Sequence, residues 1–364
     1  MNVQLQGNEQ VTKLFNDWYL AMLKQDVSQA TNLKHKIEEK ELNFKEDDNL
    51  ALYHSLLDFR FKVLTDGLSI TKDSFDKIDS YAISSNHPLS YYYHLFKGIY
   101  ATLTTNYNLA SEHYEQAKLL LINITDNLEH AEFYYRMAIF HYHFYQPIEA
   151  IEYATKAKEL FIKAVGYEKN VASCESVLGA AFVYLKQYEQ AEEKYNSAIN
   201  ILQKQNEESL LLRVRNNLGW LYANQNLSTL AIRHLSEVTT KMPTHFKAIF
   251  LQAREHSKLS EINIAEEFIE KGLKICTELN NEEYILHFKI LKSLNSNTST
   301  EDLEKIIREG ITYFDKESLY NYTQEYSEKL AIKLYDENNH IKASKYFHQA
   351  LQAKEKTFEK GALK

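Results

Sequence analysis

One spacing returns seven times along this chain, and it constrains the fold more than any other feature. In "NNLGWLYANQNLSTLAIRHLSEVTTKMP" (216–243), Gly219 takes position 8 of a 34-residue helix-turn-helix unit. Ala231 then falls at position 20, Val238 at 27 and Pro243 at 32. The same frame collects Gly98, Ala110, Tyr114 and Ala117, then Ala138, Ala150 and Ala157, then Gly179, Ala191, Tyr195 and Ala198. Downstream it collects Ala253, Ala265 and Gly272, a degenerate unit with Leu303 and Gly310, and a last unit with Ala331, Ala343, Phe347 and Ala350. Successive position-20 residues are 40, 41, 40, 34, 38 and 40 residues apart. Small residues at 8 and 20 let the two helices of a unit approach closely. The residue at 27 packs on the next unit, and a proline at 32 stops the second helix.

This is the tetratricopeptide pattern. Each hairpin has an apolar face that it cannot bury alone, so the units must stack, and the stack predicts a superhelix with a concave groove over 91–364. The first 80 residues leave the frame. Three amphipathic stretches stand there: "NEQVTKLFNDWYLAMLKQD", "VSQATNLKHKIEEKELN" and "EDDNLALYHSLLDFRFKVLTDG". In the third, Leu50, Tyr53, Leu56, Leu57 and Leu64 recur at helical spacing and Gly67 ends the run. They predict a three-helix bundle over 1–70, joined to the repeats by a linker helix region over 71–90. The expected fold class is therefore all-α: an N-terminal three-helix bundle followed by a seven-repeat superhelix.

Composition agrees. Nine glycines and three prolines in 364 residues are too few for the turns of an all-β protein. A net charge of −8 argues against a nucleic-acid surface. No stretch approaches 18 consecutive apolar residues, and the opening "MNVQLQGNEQVTKLFNDW" lacks an apolar signal core. A cytoplasmic location and no membrane contact are expected. Cys174 and Cys276 have no ligand spacing and read as buried structural thiols.

Signatures of catalysis fail inspection. GxxxxGK[ST], GxGxxG and GxSxG do not occur. His141 and His143 stand two apart, so on a helix they point to nearly opposite sides and do not make a metal pair. No metal and no cofactor are expected. Most of the 26 tyrosines and 18 phenylalanines read as core, as at Tyr114 and Tyr195.

The stretches "EDDNLALYHSLLDFRF" (46–61), "AEFYYRMAIFHYHFYQP" (131–147) and "NNLGWLY" (216–222) resemble the Rap family of Gram-positive bacteria, and the resemblance covers essentially the whole chain. It implies a quorum-sensing regulator. The bundle binds a protein partner, either a response regulator or a transcription regulator such as a mobile-element or conjugation repressor. A short secreted and re-imported Phr-type peptide binds in the repeat groove and switches that interaction. Phosphatase members carry a glutamine at the start of the third bundle helix, in a context like "ExQDLLLYYxLLEFR". Alignment puts Asp48 there, and a carboxylate would repel a phosphoryl group. The expectation is a non-enzymatic regulator of the anti-repressor kind. The alternative is a response-regulator aspartate phosphatase using Glu46 or Asn49 instead.

The resemblance also implies a peptide site. Asn217 matches the asparagine of the family's "NIG"-like element, and an amide offers both donor and acceptor to an extended backbone. Arg213, Asn217, Trp220 and Asn224 form one helical stripe, with Asn216 beside it. Arg136 matches a basic family position. Tyr184 replaces an acidic residue of members that bind basic peptides, and Phe250 and Arg254 offer an apolar wall and a charge one turn apart. Partner contact is expected from Asp47, Asp48 and Leu52, although the two aspartates also suit a helix N-terminus, where acidic groups offset the macrodipole. Whether the chain forms a homo-oligomer is left open.

Overall fold

The computed structural model describes residues 9–39, 47–81, 83, 87–296 and 298–361, and every regular element among them is helical. Glu46 lies outside the described residues. The bundle comprises α1 (Glu9–Leu23), α2 (Val27–Glu39) and α3 (Asp48–Asp66). α1 packs on both neighbours, and Phe15, Trp18, Tyr19 and Met22 are completely buried. The Phe15 ring meets Tyr53 of α3 edge-on at 5.3 Å. A short helix, α4 (Asp76–Asp79), follows, with Phe75 fully buried beside Phe59.

Seven helical hairpins come next. They are α5 (Ser90–Leu103) with α6 (Tyr107–Leu121), α7 (Asn127–His143) with α8 (Pro147–Ile162), and α9 (Glu168–Tyr184) with α10 (Tyr188–Lys204). Then come α11 (Glu208–Asn224) with α12 (Ser228–Lys241), and α13 (Phe246–Lys258) with α14 (Ile262–Glu278). Last are α15 (Glu282–Asn295) with α16 (Thr300–Lys316), and α17 (Tyr320–Asp336) with α18 (His340–Gly361). Position 8 of the frame falls on the first helix of each hairpin and position 20 on the second. All seven position-20 residues are buried, six of them alanine.

The reason for glycine at position 8 is direct. A Cβ on Gly98 would stand 2.8 Å from the Tyr114 ring, and one on Gly179 would stand 2.7 Å from Tyr195. Position 24 thus seats its side chain on position 8 of the same hairpin. Gly272, at position 27, instead lies under Phe288 of the next hairpin, as the frame requires. The last unit departs from the pattern. At its position 24 Phe347 is 42% exposed, and the neighbouring Tyr346 takes the buried place.

Turn geometry explains how nine glycines suffice. In six of the seven hairpins one residue adopts the left-handed conformation: Thr105, Tyr145, Lys186, Asn226, Ser260 and Asn338. The following N–H then reaches back to the first helix, as from Asn106 to the Ala101 carbonyl at 2.8 Å and from Gln187 to Phe182 at 2.9 Å. This closes the helix end without a glycine. Tyr145 is the least expected, because a bulky side chain rarely takes φ 59°.

The chain divides into two compact units, Met1–Phe140 with Glu152–Cys174, and His141–Ile151 with Glu175–Lys364. In the first, the bundle is wired to repeats by buried polar contacts. Arg60 of α3 donates to Glu132 of α7 at 3.1 Å, and Arg136 Nε donates to the same carboxylate oxygen at 2.8 Å. The Tyr19 hydroxyl donates to Glu129 at 2.9 Å, and Asn170 Nδ2 donates to the Leu23 carbonyl at 2.9 Å. Both cysteines are buried, neither forms a disulfide among the described residues, and burial pushes the Cys276 thiol up to about 12.

Candidate functional site

In the second unit the first helices of successive hairpins, α11, α13 and α15, pack side by side. Their common face brings several of the expected residues together. Asn217 Nδ2 donates to Ser176 Oγ of the preceding hairpin at 3.0 Å, and Asn216 Nδ2 donates to Asn217 Oδ1 at 3.3 Å. Asn217 therefore keeps one N–H and one lone pair for another group. Three residues along α11, Trp220 meets Tyr184 edge-on at 4.9 Å. Tyr184 also contacts Tyr142 at 5.4 Å and Tyr145 at 4.8 Å. The outcome is an aromatic wall against a fixed amide, a combination suited to an extended backbone carrying apolar side chains. Burial pushes the Tyr142 phenol up to about 12, and it raises those of Tyr145 and Tyr184 as well, so these rings stay neutral.

Phe250 extends the wall along α13, with its ring 5.9 Å from Tyr284 and 5.3 Å from His287. The His287 ring in turn lies 4.3 Å from Tyr322 of α17. Tyr145, at the turn of the second hairpin, touches Tyr322 at 5.6 Å. Arg254, one turn beyond Phe250, donates through Nε to Glu255 at 3.2 Å.

Other expected residues fall elsewhere. Arg136 belongs to the first unit, where Glu132 holds it. Arg213 is exposed, and Asn224 is exposed with its amide turned onto the Trp220 carbonyl of its own helix at 2.8 Å. In the bundle, Asp47 caps α3 and accepts from the Asn49 and Leu50 N–H groups. Asp48 is exposed, whereas Leu52 is 2% exposed and packs inside. The Asn49 amide oxygen lies 2.7 Å from His87 Nε2. His141 lies 2.7 Å from the Gln146 amide oxygen, and burial pushes His143 well below the usual imidazole range.

The sequence reading missed Tyr142, Tyr145, Tyr284, His287 and Tyr322. A signal was available for three of them, because Tyr284 and His287 on α15, like Tyr322 and Tyr326 on α17, recur at helical spacing on first helices rather than at position 24.

An all-α repeat protein, with an N-terminal bundle and a polar and aromatic face on its first helices, is the class that these elements define. Residues 6–66 match the family described as response regulator aspartate phosphatase H, N terminal, and residues 129–204 match the tetratricopeptide repeat. The regulatory protein RapF of Bacillus subtilis (strain 168) is 25% identical over 369 residues, covering 96% of this chain and 95% of its own. The structure of a Rap protein complexed with competence and sporulation factor superposes with a TM-score of 0.80 at 22% identity, covering 97% of this chain and 99% of that one. That of the Rap conjugation gene regulator of the plasmid pLS20, in complex with the Phr* peptide, gives 0.69 at 19% identity over 96% of each chain. By these matches the chain is similar to the Rap family along nearly its whole length.

Proposed function

We propose that this chain is a cytoplasmic receptor for a short, re-imported signalling peptide, and that it regulates a response regulator or transcription regulator by direct binding rather than by catalysis. The observation that carries the reading is Asn217, an amide fixed by Ser176 beside the aromatic wall of Trp220 and Tyr184. Peptide binds along this face and the bundle holds the protein partner. Asp48 offers an exposed charge to that partner, while Asp47 shapes the helix end and Leu52 stiffens it from within. A peptide with unequal affinity for two arrangements of the chain shifts their populations, and so switches partner binding.

The second reading is a response-regulator aspartate phosphatase, favoured by the family description matched over residues 6–66. Against it stands Asp48, whose carboxylate cannot orient an attacking water without repelling the phosphoryl group. Incubating a phosphorylated receiver domain with a tenth of its amount of this chain separates the two. Stoichiometric inhibition without phosphate release supports the binding reading, and multiple turnovers overturn it. Activity gained on Asp48→Gln identifies the position as the one that silences the chemistry.

A further inference from the structure

On α13, Phe250, Arg254 and Lys258 recur at i, i+4 and i+8, and on α17, Tyr322, Tyr326 and Lys329 share one face. The stripes end in charge. Glu255 is fully buried and saturated, accepting from Ser228 Oγ at 2.7 Å, Arg254 Nε at 3.2 Å and Lys258 Nζ at 2.9 Å. It serves as a template that fixes the two cations. Lys329 donates to Glu325 at 2.6 Å. Burial alone would raise the Glu325 carboxyl, yet Lys329 and Arg254 hold it down at about 2, so Arg254 acts across to α17 as well.

Arg254, Lys258 and Lys329 gather around Glu255 and Glu325, and the Glu283 carboxylate of α15 acts on Tyr284 and Tyr326 of the same surface. Burial depresses the Lys258 ammonium, and the nearby Arg254 and Lys329 depress it further. Arg254 is only 20% exposed and uses Nε alone, and its four terminal N–H donors meet no acceptor among the described residues. A half-sheltered guanidinium with its fork unused matches a planar carboxylate, which accepts two parallel hydrogen bonds.

We infer that the Arg254 fork, flanked by Lys258 and Lys329, receives a carboxylate of the bound peptide, and that the ring surface of Phe250, Tyr284 and Tyr322 takes the apolar side chain next to it. The inference rests on the peptide-receptor reading and adds the chemistry of one end of the ligand. The carboxylate comes either from the peptide's C-terminus or from an aspartate or glutamate side chain.

Two pools of random pentapeptides, one ending in free acids and one in amides, test this when captured on the full chain and identified by mass spectrometry. Recovery of peptides without Asp or Glu from the free-acid pool, at about tenfold excess over the amide pool, assigns the terminal carboxylate. Recovery of Asp- or Glu-bearing peptides from the amide pool assigns the side chain. Either supports the subsite, and Arg254→Gln then lowers recovery by about tenfold or more. Lys329→Gln, at a 39% exposed position that leaves the fold intact, lowers it by a smaller factor. Equal recovery of acid-free peptides from both pools, abolished by Asn217→Ala, overturns the subsite and leaves the peptide receptor standing. No recovery from either pool overturns both.

Discussion

Arg60 on α3 and Glu132 on α7 are 72 residues apart in sequence, yet their side chains meet at 3.1 Å and each is only 2% exposed. The pair joins the bundle to the second hairpin inside one compact unit, and Arg136 shares the same carboxylate. Removing one partner strands a buried charge, which costs about 3–5 kcal/mol. Arg60→Ala is expected to lower unfolding stability by that amount in urea titration, with a first transition confined to the amino-terminal unit. A change below about 1 kcal/mol would show that the charges find water instead.

Glycine at position 8 should be irreplaceable where an aromatic ring covers it. Gly179→Ala drives a methyl into Tyr195, and overpacking of this kind costs about 1–3 kcal/mol. Gly67→Ala is the contrast. Its φ is −63° and nothing lies within 4 Å of the new Cβ, so the substitution should stabilise by about 0.4–1 kcal/mol. Urea midpoints moving in opposite directions are the expected outcome.

His245 caps α13, and its Nδ1 accepts from the Ala248 N–H at 3.2 Å, which requires a neutral ring. Burial, then Lys247, lowers its pKa to about 4. Above pH 6.5 both folded and unfolded states hold it neutral. As pH falls from 6.5 toward 4, only the unfolded state gains the proton, and up to about 3 kcal/mol of stability is lost. His245→Asn keeps a cap and removes the titration, so its stability should vary less across that window. Parallel profiles for the two proteins would refute the assignment.

Tyr145 occupies a left-handed backbone position and its ring reaches Tyr322, 177 residues along the chain. An edge-to-face aromatic pair contributes about 0.5–1.5 kcal/mol beyond its area. A double-mutant cycle on Tyr145→Ala and Tyr322→Ala should return a coupling energy in that range, and a coupling near zero would show the contact to be incidental.

For the peptide face, two asparagines on one helix should separate. Asn217→Ala is expected to abolish recovery of pentapeptides, because its amide is fixed by Ser176 with donor and acceptor to spare. Asn224→Ala should leave recovery unchanged, because that amide is exposed and satisfied by the Trp220 carbonyl. Equal effects would place the site away from the aromatic wall.

The spacing of small residues determined the repeat part of the fold by itself. A glycine or alanine at positions 8 and 20 is a local demand of one hairpin on its own two helices, so it is legible wherever the chain repeats it. The cap at Asp47 was legible for the same reason, because it lies within four residues of chain. Contacts between distant segments were not. Arg136 reads as a groove cation on its helix, yet Glu132 holds it and shares the same oxygen with Arg60, and nothing local to α7 announces Arg60. Leu52 reads as a contact residue from its place near Asp48, but the folded chain leaves it only 2% exposed. Tyr145, Tyr184 and Tyr322 converge only because the stack brings three hairpins to one place. Sequence periodicity fixes which side of a helix a residue occupies, whereas its neighbour on another helix depends on how whole hairpins pack, and that was decided by the tertiary structure alone.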